Sequence, residues 1–289
     1  MQTREELQRQ IAVATELGTV VSTMKALAAA TIHQFESALG ALDDYLATVE
    51  LGLQVALAAG PTPPPVTHRR DGHALIAFGS DHGLCGALNR LVAEQARVVA
   101  DGDAGPAPRV FAIGERIVTE LEAQGLAPES RWHAPASAPA ITELVEDLLP
   151  TVERVAHEVR RVVLVLPQPA GPAGRYGPTA RQVLPLDAAR LRRLAVAPWP
   201  SRRLPQVVGD VGAVRLSLTR ALVAVDLHRA VAQTSVAVHA SRLAAMQAAE
   251  RNIDERLEEL RRSYHQVRQA ILTDELLDVV SGFETLRDR

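Results

Sequence analysis

The sequence predicts an α/β protein in which two long coiled-coil helices, one at each end of the chain, flank a small domain of alternating strands and helices. Three observations carry this. All 18 prolines of the 289 residues lie between Pro61 and Pro205, and proline is the strongest breaker of helices. Apolar residues recur in steps of four and three through the proline-free N-terminal region, and again through the proline-free C-terminal region. Between them, short apolar runs bounded by glycine and proline read as strands. The expected divisions are an N-terminal helix over 1–60, an α/β domain over 61–205 and a C-terminal helix over 206–289.

In the first region, the stepping from Leu7 runs through Ile11, Ala14, Val21, Ala28, Ile32, Phe35, Leu39, Leu46 and Leu53 to Ala56. Only Gly18 and Lys25 interrupt it. A seam kept for about seven heptads marks a coiled coil rather than a helix lying on a globular core. In the last region the same stepping starts at Leu218 and is broken by Arg229, His239 and Glu250. A polar residue on such a seam usually sets register. After Ile271 the apolar row moves by one residue to Leu272, Leu276, Val279, Phe283 and Leu286, so the last turns are expected to face a different neighbour. At about 1.5 Å per residue the second helix outruns the first by tens of ångströms. Part of its apolar stripe therefore needs cover from another chain.

In the middle region, residues 73–80, 108–114 and 161–167 read as strands, and 84–99, 115–124 and 141–159 as helices. Apolar strands joined by helices predict a small parallel or mixed sheet covered on both faces. Residues 168–205 read as irregular.

Composition excludes several classes. Aromatic residues make up 3% of the chain, and the formal net charge is −3, so no field suited to nucleic acid is expected. The single cysteine, Cys85, rules out an internal disulfide. The N-terminus lacks the apolar core of a signal peptide, and no uninterrupted apolar run of membrane-spanning length is present.

Candidate chemistry is sparse. GSDHGLCG (79–86) matches neither phosphate-loop pattern, and a tight strand-to-helix turn needs glycine in any case. Ser80, Asp81 and His82 are consecutive, whereas triad side chains must converge. Cys85 reads as packing. No histidine or cysteine spacing fits a metal, so no catalytic, cofactor or metal residues are expected.

The segment SRLAAMQAAERNIDERLEELRRSYHQVRQAILTDELLDVVSGFETL (241–286) closely resembles the end of F-type ATP synthase gamma subunits. Its core, SYHQVRQAILTDELLDVVSG, matches the family pattern Y-N-x-x-R-Q-A-x-I-T-x-E-L with His265 and Leu272 as variants. TMKALAAA (23–30), SDHGLCGALN (80–89) and VLPL (183–186) follow in family order. The resemblance implies an antiparallel coiled coil with a Rossmann-like domain at its base, acting as a non-catalytic central rotor stalk. It further implies a ring of alpha and beta subunits around the coiled coil, a c-subunit ring under the base and a small epsilon-type stalk subunit. The place implied is peripheral, at the cytoplasmic face of a bacterial inner membrane. Beta-subunit contacts carry over onto Met24, Lys25, Arg242, Arg268, Gln269, Thr273 and Glu275. Leu276, Val279, Val280, Phe283 and Leu286 would turn inside a sleeve of the ring.

The first helix departs from the family in charge: residues 1–57 carry three basic and seven acidic residues, where typical members are basic. That balance fits a divergent branch such as the alternative sodium-translocating bacterial enzymes. The rival expectation is a coiled-coil scaffold or adaptor with an α/β domain, which explains the seams but not the motifs at opposite ends of the chain.

Overall fold

The computed structural model describes residues 3–59, 71–102, 105–170, 176–203 and 205–287; of residue 278 and residues 281–287 it describes the backbone alone. The elements in chain order are α1 (Arg4–Ala58), β1 (His73–Phe78), α2 (Leu88–Asp101), β2 (Arg109–Ile113), α3 (Glu115–Ala123), β3 (Ser130–Trp132), α4 (Ala140–Ala156), β4 (Arg161–Pro169), β5 (Tyr176–Leu184), α5 (Ala188–Val196) and α6 (Val211–Arg287). They form two compact units, one of Met1–Leu27 with Leu243–Arg289 and one of Ala28–Arg242. Both long helices contribute to each.

In the first unit α1 and α6 pair antiparallel. A Cβ on Gly18 would stand 3.6 Å from the Ile253 side chain, and the Lys25 ammonium lies 2.6 Å from the Glu250 carboxylate. Partner numbers fall as those of α1 rise. Leu7, Leu257 and Leu260 are buried, as the seam requires.

In the second unit the same two helices again run antiparallel. Phe35 stacks on His239, Asp43 pairs with Arg229, and Leu218 lies against Gly52. Arg215 Nε donates to the carbonyl of Ala56 at 2.8 Å. The three residues that interrupt the α6 seam thus all have cross-helix partners: Arg229 an acid, His239 an aromatic ring and Glu250 a base. Polar seam positions with a single complementary partner hold the register, because a shift of one step would strand each group.

The sheet order is β3-β2-β1-β4-β5. β1 pairs in parallel with β2 and β4, β2 in parallel with β3, and β5 runs antiparallel to β4. Alternation along the strands sorts the core into two layers. Ala74, Ile76, Phe78, Phe111, Ile113, Val162 and Leu164 pack with α4 and with the second-unit parts of the long helices. Leu75, Ala77, Val110, Ala112, Val163 and Val165 pack with α2 and α3. Strands covered on both faces are the physical reason for their unbroken apolar character.

Residues 168–205 are more ordered than the sequence suggested. They hold the end of β4 and all of β5 and α5, and β3 was also unforeseen. β5 tolerates Pro178 because it pairs on one side only, with β4; an edge strand does not need every N–H. α5 starts at Asp187, whose carboxylate accepts from the amides of Ala189 and Arg190. Hydropathy supplies a second correction. Averaged over 18 residues, α1 reaches the range of a membrane span by length and composition, since Ala and Val dilute its few charges.

Candidate functional site: a coupling surface on the long helices

The parallel strands end where an α/β enzyme would bind its ligand, at the SDHGLCGALN loop. The loop fills that position with its own groups. Asp81 Oδ1 accepts from the amide of Glu115, the first residue of α3, at 3.0 Å and from that of Ala134 at 3.1 Å. A carboxylate at a helix N-terminus stands where a phosphate would bind. Asn89 clamps the turn: its Oδ1 accepts from the Ser80 amide at 3.0 Å and its Nδ2 donates to Ser80 Oγ at 2.9 Å. Ser80 Oγ in turn donates to the carbonyl of His82 at 2.8 Å.

Cys85 is buried beside them, in agreement with a packing role. The glycines close the remaining space. A Cβ on Gly79 would come within 2.5 Å of both Asn89 Oδ1 and Ile117 Cβ, and Gly114 holds a φ of +107° with the Ser80 backbone 2.8 Å from where its Cβ would be. The Ser80 hydroxyl is thus spent on the His82 carbonyl and the Asp81 carboxylate on two amides of other segments, so their side chains do not converge on a relay. Among the described residues no group of three or more His, Cys, Asp or Glu is placed to hold a metal.

The predicted contact residues lie instead on the surface of the long helices. In the first unit Met24 is half-buried beside Lys25, whose ammonium is already engaged by both oxygens of Glu250 at 2.6 and 2.7 Å. About a third of each side chain remains exposed. On α6, Arg268, Gln269, Thr273 and Glu275 are all exposed; Thr273 Oγ1 donates back to the carbonyl of Gln269 at 2.9 Å.

At about 100° per residue, Leu272, Leu276 and Val279 fall in one row of α6. Arg268 and Glu275 lie along one border of that row, and Gln269 and Thr273 along the other. Leu272, Leu276, Val279 and Val280 are 52%, 65%, 68% and 46% exposed. Phe283 and Leu286 continue the row by spacing, and their side chains lie outside the described residues. The earlier seam residue Ile271 is 38% exposed and the shifted row that follows it more so, so the described residues leave both partly open.

α1 adds a feature that the sequence reading missed. Val13, Leu17, Val20 and Leu27 are 51–67% exposed and step by four and three through Met24, forming a second apolar row. The signal was the same heptad spacing, started from a different residue.

Arg242 belongs to the second unit. It is half-buried, and its Nη1 lies 3.5 Å from His239 Nδ1. Burial and the neighbouring guanidinium push the His239 imidazole down to about 4, so it is neutral at ordinary pH.

These features define a pair of long antiparallel helices with an α/β domain whose SDHGLCGALN loop is filled by its own side chains. A solved structure of the same fold is the rotor of the Euglena gracilis mitochondrial ATP synthase, with a TM-score of 0.63, 13% identity and coverage of 93% of this chain and 98% of that one. The fold is therefore that of an ATP synthase central stalk. A family model described as ATP synthase matches residues 3–286. The ATP synthase gamma chain of Granulibacter bethesdensis is 26% identical, covering 92% of this chain and 94% of its own length. That of Zymomonas mobilis is 25% identical, covering 99% and 100%. The chain belongs to the ATP synthase gamma-chain family. A free-standing scaffold is not favoured, because the match runs through both helices and the domain between them.

Proposed function

We propose that the chain is the non-catalytic central rotor of an F-type ATP synthase, coupling ion flow through a membrane ring to the conformational cycle of catalytic beta subunits. The observation that carries this is the pair of bare apolar rows in the first unit: Val13 to Leu27 on α1, and Leu272 to Val280 on α6. Rows this long on a stalk need a surrounding surface, and a ring of alpha and beta subunits supplies one.

The polar borders of the α6 row give the rotor its grip. Arg268 and Gln269 donate hydrogen bonds, and an Arg fork fixes direction as well as strength. Thr273, Glu275, Arg242, Met24 and Lys25 complete the beta-subunit contact, and Leu276 to Leu286 turn in the sleeve. A rotor shifts a catalytic subunit only by touching its conformers unequally, so these contacts must differ from face to face of the stalk.

The second unit provides the base. Arg192, Arg193, Arg202 and Arg203 are exposed, as are Val196 and Val208 at 82% and 85%. Exposed basic and apolar side chains in this segment suit contact with the c-subunit ring and a small epsilon-type subunit. The complex would hold the chain peripherally at the cytoplasmic face of a bacterial inner membrane.

Co-purification tests the reading. The chain should bring down alpha and beta subunits in threefold excess, and Arg268→Ala or Gln269→Ala should lower ATP-driven ion pumping more than ATP hydrolysis. Isolation as a partner-free protein, or native pumping in both variants, would overturn it.

A further inference from the structure

Of the three polar residues on the α6 seam, His239 alone is not matched by an opposite charge across the helix pair. Its ring stacks on Phe35 with centroids 6.0 Å apart and planes 19° from parallel, and Phe35 is fully buried. The ring is thereby fixed in one orientation. One helical turn on, Arg242 brings Nη1 to 3.5 Å from His239 Nδ1, at the outer edge of hydrogen-bond range.

A guanidinium only donates. Nδ1 must therefore be the acceptor, which puts the imidazole hydrogen on Nε2 and leaves the ring uncharged. Neutrality is also what the geometry demands, since an imidazolium would repel Arg242. The depressed value of about 4 for His239 agrees.

We infer that His239 is a positioning residue: braced by Phe35, it aims the Arg242 guanidinium at the beta subunit. A free Arg side chain samples many rotamers, and a fixed acceptor beside it narrows them before the partner arrives. This rests on the rotor reading, in which Arg242 touches the beta subunit.

The test uses the assembled ATPase and the ratio of ATP-driven ion pumping to ATP hydrolysis. Arg242→Ala is expected to lower the ratio about threefold or more, the loss expected of a charge-assisted contact. His239→Phe keeps the stack but removes the acceptor, and should lower the ratio in the same direction. The double variant should fall no further than Arg242→Ala, because both changes remove one interaction. His239→Asn places its Oδ1 where Nδ1 stood and should retain most of the native ratio. His239→Gln offers an acceptor nearer the Nε2 position and should not, giving the same contrast should His239→Phe fail to assemble.

A native ratio in assembled His239→Phe or His239→Gln, alongside a lowered one in Arg242→Ala, would overturn the inference and leave the rotor contact standing. So would additive losses in the double variant, or equal losses in His239→Asn and His239→Gln. A native ratio in Arg242→Ala would remove the contact itself, and this inference with it.

Discussion

Leucines on a single helix should respond in opposite ways to truncation, depending on which part of α6 they occupy. Leu260 is 5% exposed, and Leu257 is 9% exposed. Leu260→Ala is expected to destabilise the isolated chain by about 2–4 kcal/mol, through lost transfer energy and the cavity left in the seam. Leu276 and Val279 are 65% and 68% exposed. A Leu276→Ser/Val279→Ser double substitution should therefore change the isolated chain by no more than about 1 kcal/mol, at about 0.5 for each surface position.

In the assembled complex the order reverses for the exposed pair. Covering a Leu or Val side chain is worth about 1.5–3 kcal/mol. Scaled by the two-thirds of each side chain still exposed, two such residues give roughly 2–4 kcal/mol. That is a loosening of the stalk from its ring by about two orders of magnitude. Thermal and urea unfolding followed by helix circular dichroism would measure the first quantity; dissociation of the complex on dilution would measure the second. The reasoning fails if the Ser pair destabilises the isolated chain as much as Leu260→Ala does. It also fails if the pair leaves dissociation unaltered.

Further outcomes follow from other sites. Because the folded chain holds His239 near 4 against an ordinary 6.5, the unfolded chain takes up the proton first as pH falls. The stabilising contribution is thus fully present above about 6.5 and lost between there and about 4, by up to ~3 kcal/mol for complete burial and about half that at this half-buried site. Urea midpoints at pH 7 and 5 should show a drop that His239→Asn reduces. Asp81→Ala strips the acceptor from the amides of Glu115 and Ala134 and should lower stability by about 1–2 kcal/mol, without creating any nucleotide affinity measurable by calorimetry. Glu250→Gln should cost no more than about 1 kcal/mol, since its pair with Lys25 is a third exposed; a larger loss in thermal unfolding would mean that Lys25 is held for more than register.

The parts of the fold that were legible in advance are those with long or two-sided patterns. The α1 and α6 seams persist for many heptads, and β1, β2 and β4 are apolar throughout because helices cover both faces. What escaped was short or one-sided. β3 has three residues, too few to show a period. β5 is uniformly half-buried from Tyr176 to Thr179 and exposes only Ala180 and Gln182, so it shows little period, and its Pro178 reads as a breaker unless the strand is known to lie at an edge. α5 had a capping signal in Asp187 and an apolar step from Leu191 to Leu194, hidden among flanking prolines. The proposed contact residues on α6 came from resemblance to a family, not from charge pattern: Arg268 and Glu275 look like an ordinary solvated helix face until the bare row beside them is seen. Lys25 read as a lone cation on the seam, and its engagement with Glu250 needed the opposing helix to be in place.

The carboxylate of Asp81, seated at the head of α3, has a wider implication for energy conversion. An axle that responded to adenine nucleotides would change stiffness or grip with the supply of fuel, mixing the cell's energy state into the gearing. With the anion seat filled from within, changes in ATP or ADP have no foothold there. The transmission ratio can then stay constant while the motor's load and supply vary.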